Sequence, residues 1–333
     1  MGNINWNIPK IDAHVHFNYE RVALLNYGAK NNIKYLSINT DIPFFKPLED
    51  QEKTILKLKY AVGNQLHYVA SFPMANWGSL NWESDVLSIL KKSFSNGAIG
   101  VKVWKNIGME VTDLDENYIG LDHHSFDSIF NYLEENDLVV LGHNGEPKNC
   151  WLPIEKMTVE QDRAYFKEHP EYHMYLHPEM PAYKDHLEAR NRRLEKHPKL
   201  RFVGLHLASH EWNVDKIGDF LDKFPLAAVD LAERICHLQH QCKTDWQKVY
   251  NFFLKYQDRI IYGTDVIDDG SLSDKELIET MEAKYQMHWR FFTTKDTMSA
   301  PKVTGVFNGL KLPDEVIKKV YFENAMKWYK LPQ

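Results

Sequence analysis

The reading of this chain turns on the stretch Ile11-Asp12-Ala13-His14-Val15-His16-Phe17. Residues two apart on a β-strand share a face, so His14 and His16 point the same way. At the C-terminal end of the first strand of a parallel barrel that face is the mouth, where active sites form. Two neutral imidazoles side by side make a pair of ligands for zinc or a similar dication. A bare HxH also arises by chance in a chain with 16 histidines, so its meaning depends on what stands at the ends of the other strands.

Working outward, short apolar runs alternate with amphipathic stretches along the whole chain. The strand candidates are Pro9–Phe17, Ile33–Asn39, Leu66–Phe72, Ala98–Trp104, Asp137–His143, Leu200–Leu207, Pro225–Leu231 and Arg259–Asp265. Between them lie helical patterns over Tyr19–Asn31, Glu49–Gly63, Trp82–Asn96, His123–Asn136, Ala182–His197, Val214–Lys223 and Thr244–Tyr256. Strand alternating with helix in this way predicts an α/β fold, a closed parallel (β/α)8 TIM barrel. The strands are continuously apolar, as expected where helices cover the outer face. No linker or repeat divides residues 1–333, which read as a single barrel domain. Two stretches are too long for ordinary βα loops: Gly145–Pro181 after strand five, and Asp268–Pro313 after strand eight with a helical portion over Lys275–Phe292. The first, carrying Trp151, Arg163, His169, His173 and His177, is expected to cover the barrel mouth, with an oligomer interface as the bland alternative. The tail Pro313–Lys330 reads as one last helix.

Composition narrows the function. Apolar residues make up 44% and charged residues 26%, enough to bury a full core. A net charge of −6 gives no electrostatic case for nucleic acid or an anionic membrane, and no apolar run approaches a membrane span. The start lacks a basic segment followed by an apolar one, so a cytoplasmic location is the default expectation, though a signal removed earlier would leave no trace. Cys150, Cys236 and Cys242 form no CxxC pair and read as reduced, packed thiols. The basic run Arg190, Arg192 and Arg193 reads as a solvated helix face.

The strand ends supply the missing company for His14 and His16. His143 ends the run Leu138–Leu141, His206 ends Phe202–Leu205, and Asp265 ends Ile260–Gly263. Gly204 and Gly263 stand two residues before His206 and Asp265, which places them on the same inward face and leaves room beneath a site at the mouth. A buried histidine alone is more often a core residue, and a strand-end aspartate a helix cap. Five such residues at one rim point to a metal.

Those pieces, IDAHVHF (Ile11–Phe17), VVLGHNGEP (Val139–Pro147), HPKLRFVGLHLAS (His197–Ser209), RIIYGTD (Arg259–Asp265) and ENAMKWY (Glu323–Tyr329), span almost the whole chain. Together they resemble the amidohydrolase superfamily, and within it the Amidohydrolase_2 branch of metal-dependent hydrolases, lactonases and aminocarboxymuconate-semialdehyde-type decarboxylases. The resemblance implies that His14, His16, His143 and Asp265 are metal ligands. It casts His206 as the residue that orients or activates a metal-bound water, or as a ligand to a second ion. It favours one Zn2+ or other divalent ion over two. Lys102, sharing an inward strand face with Trp104, is then a cation for a substrate carboxylate or oxyanion; in a binuclear site it would be a carboxylated bridge. Asp265 suits proton transfer from the oxygen it does not commit to the metal. Arg234, just past strand seven, has a planar fork suited to a carboxylate. Trp104, Asn144, Glu146 and, from the insertion, Arg163 complete the candidate substrate contacts, with Lys105 and His210 on the same rim loops. The expected activity is hydrolysis of a small ester, lactone or amide bearing an anionic or hydroxyl group. The alternative, sharing every ligand, is non-oxidative decarboxylation of a small carboxylic acid. A homo-oligomer is compatible with either.

Overall fold

The computed structural model describes residues 8–332. Strands β1 (Lys10–Phe17), β2 (Ile33–Ile38), β3 (Leu66–Ser71), β4 (Gly100–Val103), β5 (Val139–Gly142), β6 (Phe202–Gly204), β7 (Ala227–Asp230) and β8 (Ile260–Ile261) lie side by side in chain order, all parallel, and β9 (Val266–Asp268) pairs with β1. The eighth predicted strand is therefore split. β8 pairs with β7, and after Tyr262–Asp265 the same path continues as β9 beside β1. Ala13 N–H donates to Tyr262 O at 3.0 Å and Asp265 N–H to His14 O at 2.7 Å, closing the sheet on itself. The result is a TIM barrel.

Side-chain alternation sorts the two faces. Ile11, Ala13, Leu36, Ile38, Val139 and Leu141 join Val203, Ala228 and Ile261 in one buried apolar cluster inside the barrel. Their strand neighbours Tyr35, Tyr68, Val101, Val103, Val140 and Phe202 face the surrounding helices. β1 changes sides midway: its register with β2 slips between Asp12 and Val15, a bulge that turns His14 and His16 inward after Ile11 and Ala13. Asp12 thereby faces out, where Thr264 Oγ1 at 2.6 Å and Tyr285 OH at 2.8 Å donate to its carboxylate. The floor of the barrel is closed by Ala325, Trp328, Tyr329 and Leu331 from the C-terminal segment.

Several expectations are corrected. The tail is helical over Asp314–Trp328 but widens to a π-turn at Lys319–Glu323. The segment after β9 holds the helix Asp274–Thr293 and then an antiparallel hairpin, Thr297–Ala300 with Val303–Asn308. Helices also form over Glu160–Glu168 and Ile235–Cys242, where none was expected. Arg190 and Arg193 are buried rather than solvated, because their guanidinium groups serve backbone carbonyls of Ala208, Leu121 and His123. All three cysteines are free and buried. Among the described residues no helix is long and apolar enough to cross a membrane.

Candidate active site

The mouth is built by two kinds of backbone. On β4 and β5 ordinary alternation delivers Lys102 and His143, while on β1 the bulge turns His14 and His16 inward, and all but His143 are at most 4% exposed. Gly263 makes the approach possible: a Cβ there would stand 2.8 Å from that of His14. On the opposite arc alternation fails. β6 ends at Gly204, not Leu207, and Val203 and Leu205 are the inward residues, so continued alternation would send His206 outward. Instead His206, Leu207, Ala208 and Ser209 all take positive φ, from 55° to 59°, a left-handed turn that swings the imidazole into the mouth. Each such non-glycine residue costs about 1–2 kcal/mol, and the surroundings hold the turn against that cost. Arg190 donates to Ala208 O at 2.6 Å, Ser209 Oγ to Asn144 O at 2.9 Å, and the His206 N–H to Asp230 Oδ1. Asp265 is itself left-handed, at φ 60°.

Asp230, at the end of β7, is the residue that sequence reasoning passed over. Its other oxygen accepts His14 Nδ1–H at 2.6 Å, so one fully buried carboxylate fixes both a β1 ring and the β6 turn. The signal was present, a charged residue closing an apolar strand, as at Asp265.

Three histidines share a further feature. His14 gives its Nδ1–H to Asp230, His16 to Ile38 O at 2.6 Å, and His206 to Ala232 O at 2.9 Å. Each therefore presents Nε2 to the mouth. His14 Nε2 lies 3.0 Å and His16 Nε2 3.2 Å from Asp265 Oδ1, while His206 Nε2 lies 3.9 Å from Oδ2. Donor atoms of His14, His206 and Asp265 all fall within 4.8 Å of one another. His143 stands beside them, its ring 4.3 Å from that of His206 and its Nε2 buried without a hydrogen-bond partner.

Charge follows from this crowding. Burial and Lys102 push His14 toward neutrality, but Asp265 and Asp230 outweigh them and raise its pKa to about 9. Burial keeps His206 neutral, with a pKa lowered to about 3, and holds His143 well below its ordinary value. Burial would raise Asp265, yet His14 and the bonds from His14 and His16 hold it well below the usual carboxylate range. Lys102 is lowered by burial to about 8, with Asp265 and Asp230 opposing the drop.

These residues fit a divalent cation. Imidazoles whose second nitrogen is fixed by a carboxylate or carbonyl, and whose free nitrogens converge on an aspartate, form the usual ligand set. Two carboxylates around one ring, that of Asp230 fully buried, also demand positive charge there.

Above the cluster lies a cavity of about 390 Å³. Lys102, His143, His206 and Asp265 line its base, and Phe45, Trp104, Met109, Tyr172, Met174 and Met180 its walls. The segment after β5 thus contributes to the cover, through Tyr165, Tyr172, Met174 and Met180 rather than the residues expected. Arg163 is turned away, donating to Glu160 and to Met157 O. Trp151 packs on Tyr183 and His186, and His173 Nε2 is bound to Leu152 O at 2.8 Å. Glu146 lines the cavity paired with Lys105. Asn144 and Arg234 do not line it. Asn144 faces a neighbouring cleft with His186. Arg234 is buried behind the rim, where Asp162 and Glu211 keep its guanidinium charged against burial, and its charge is felt at His143 and His206.

A parallel barrel with histidines and an aspartate converging at its C-terminal rim defines the amidohydrolase type of TIM barrel. The chain belongs to the amidohydrolase family, whose profile matches residues 11–331. No curated protein matches it. Among solved structures it resembles 2,6-dihydroxybenzoate decarboxylase from Rhizobium (12% identity, TM-score 0.54, covering 97% of this chain and 99% of that one). It also resembles dihydroorotase from Saccharomyces cerevisiae in complex with 5-fluoroorotic acid (13%, 0.53, 98% and 85%). A third likeness is an uncharacterised TIM-barrel protein from Bordetella bronchiseptica (14%, 0.52, 92% and 82%). At these identities the likeness is one of fold.

Proposed function

We propose that the protein is a metal-dependent hydrolase, acting as one barrel domain on a small ester, lactone or amide that carries an anionic group. The carrying observation is that His14, His16 and His206 each fix Nδ1 on a rigid acceptor and aim Nε2 at the Asp265 carboxylate. His14, His16 and Asp265 would hold one divalent ion, zinc or another first-row metal, with His143 and His206 beside them. When bound, such an ion polarises a carbonyl and lowers the pKa of water toward neutrality. Asp265 receives the proton at Oδ2 and returns it to the leaving group. His206, neutral with its proton on Nδ1, offers Nε2 as an acceptor. Lys102, still protonated near neutrality, anchors the substrate's anion. The aromatic and thioether wall excludes water and gives a flat ring a surface to lie on.

The same wall over the buried Lys102 also suits a second reading, decarboxylation, in which the substrate's carboxylate, shielded from water, leaves as CO2 and the carbon it leaves takes up a proton. One experiment separates the two. Purified protein with its metal content measured is given p-nitrophenyl esters and small lactones on one side, and hydroxybenzoates on the other. Ester or lactone turnover that vanishes in Asp265→Asn supports hydrolysis. CO2 release from the acids, without ester turnover, replaces the first reading by the second. Protein that binds no divalent metal overturns both.

A further inference from the structure

Away from the mouth, a cavity of about 300 Å³ opens where the helix Ile235–Cys242 meets the helix Asp274–Thr293 and the hairpin after it. Its walls are apolar, formed by Ile235, Cys236, Met287, Ala300 and Pro301. Into it faces Gln239, a side chain only 1% exposed whose Nε2 has no hydrogen-bond partner. A buried amide donor left unmade costs about 1–3 kcal/mol, so it is a position waiting for an acceptor.

Charge at the edge tells which acceptor. Lys284 and Lys302 both line the cavity and both donate to Glu233. Lys284 also reaches Thr264 O at 3.3 Å, whereas Lys302, bonded to Glu233 Oε2 at 2.5 Å, is the more exposed of the two. Two ammonium groups against one carboxylate leave a net positive charge. His288, kept neutral by burial, does not change that count.

We propose that this cavity is a second binding site, for a small monocarboxylic acid with an apolar body, whose carboxylate accepts from Gln239 Nε2 and Lys302 Nζ while its hydrocarbon part lies against Ile235, Met287 and Pro301. The volume admits a single-ring acid or a short aliphatic one. The site is assembled from the β7 loop and the segments after β5 and β9, since Gln161 on the helix Glu160–Glu168 also donates to Glu233, at 2.9 Å. It shares no lining residue with the barrel mouth.

The test uses binding alone, so it stands or falls apart from the proposed activity. Crystals of the full chain are soaked with 4-bromobenzoate, and the anomalous signal of bromine locates the ligand. In parallel, benzoate is titrated calorimetrically into the wild type and into Lys302→Met, Gln239→Leu and Lys102→Met. The expected result is bromine in this cavity, affinity about tenfold weaker in Lys302→Met and Gln239→Leu, as for loss of a hydrogen bond to a charged group, and unchanged binding there in Lys102→Met. Bromine only in the mouth, or in neither place, overturns the proposal. So does Gln239→Leu binding as tightly as the wild type, or binding lost only in Lys102→Met.

Discussion

The rim of this barrel has two arcs that reach the same end by different means. From β1 to β5, side chains enter the mouth from extended strands: Lys102 is inward since Val101 and Val103 are outward, His143 follows Leu141, and one bulge on β1 brings His14 and His16 to the same side. From β6 to β8 the site is reached through left-handed backbone at His206 to Ser209, at Glu233 and at Asp265. The first arc needs a good pattern and a single bulge. The second stores strain and is held by side chains outside the left-handed turn, Asp230 at the end of β7 above all. The candidate site thus rests on one arc that is rigid by repetition and one that is rigid by restraint.

The largest effect should come from the point where the arcs meet. Asp265→Asn or His14→Ala removes the carboxylate or ring on which both converge, and is expected to lower turnover by at least about 1,000-fold and to strip divalent metal from purified protein. Elemental analysis beside the assay checks this. Metal retained at wild-type stoichiometry in both variants would mean that the cluster is not the metal centre.

Asp230→Asn tests the restraint itself. An amide still accepts one hydrogen bond but no longer carries the charge that faces His14. Losing such support to a ligating histidine lowers metal affinity by about 10- to 100-fold, read by competition with a chelator. Unchanged affinity would show that His14 is aimed by β1 alone, and the two arcs would then be independent.

The same contrast explains what the sequence discloses. Strand order, barrel closure and the positions of Lys102 and His143 are legible because alternation is written in apolar spacing, and the shared face of His14 and His16 is legible from their own spacing. Asp265 is placed by the apolar spacing with Gly263 beneath it, although its own backbone is left-handed. His206 was found for a reason that proved wrong: Gly204 does not share its inward face, and a left-handed turn of Leu, Ala and Ser carries no local glycine to announce it. The β1 bulge was invisible because it conserves the His14–His16 pair while turning Asp12 out. Arg163 lies away from the cavity because the helix Glu160–Glu168 sets beside it the near neighbour Glu160 that claims the guanidinium.

Acid should probe the strained arc next. Glu233 is left-handed at φ 52°, and although burial opposes ionisation, Lys284 and Lys302 depress its pKa to about 2 from an ordinary 4.5. A depressed carboxylate contributes stability that is fully present above its unfolded value and drains away as pH falls through the folded one. The wild type should therefore lose stability between about pH 4.5 and 2 by an amount on the order of 2 kcal/mol. In Glu233→Gln that part of the acid limb should flatten. Urea midpoints measured across the range decide it, and parallel acid limbs in the two proteins would remove Glu233 as a pin of the β7 loop.

The smallest effect isolates strain by comparing two alanines, one on each kind of backbone. Ala208 is in the left-handed turn at φ 55° and 1% exposed; Ala228 lies in β7 with its side chain in the barrel interior. Changing either to glycine removes one buried methyl, about 0.8 kcal/mol, and loosens the unfolded chain by about 0.4–1 kcal/mol. Only at Ala208 does glycine also release a positive φ, which returns about 1–2 kcal/mol. The sums differ in outcome. Ala228→Gly should be destabilised by about 1–2 kcal/mol, while Ala208→Gly should unfold within about 0.5 kcal/mol of the wild type. Urea denaturation of the two variants under one set of conditions gives the difference directly, and common errors in the slope cancel between them. Equal losses would mean that the turn holds no strain, and the His206 arc would then owe its shape to local preference like the other one.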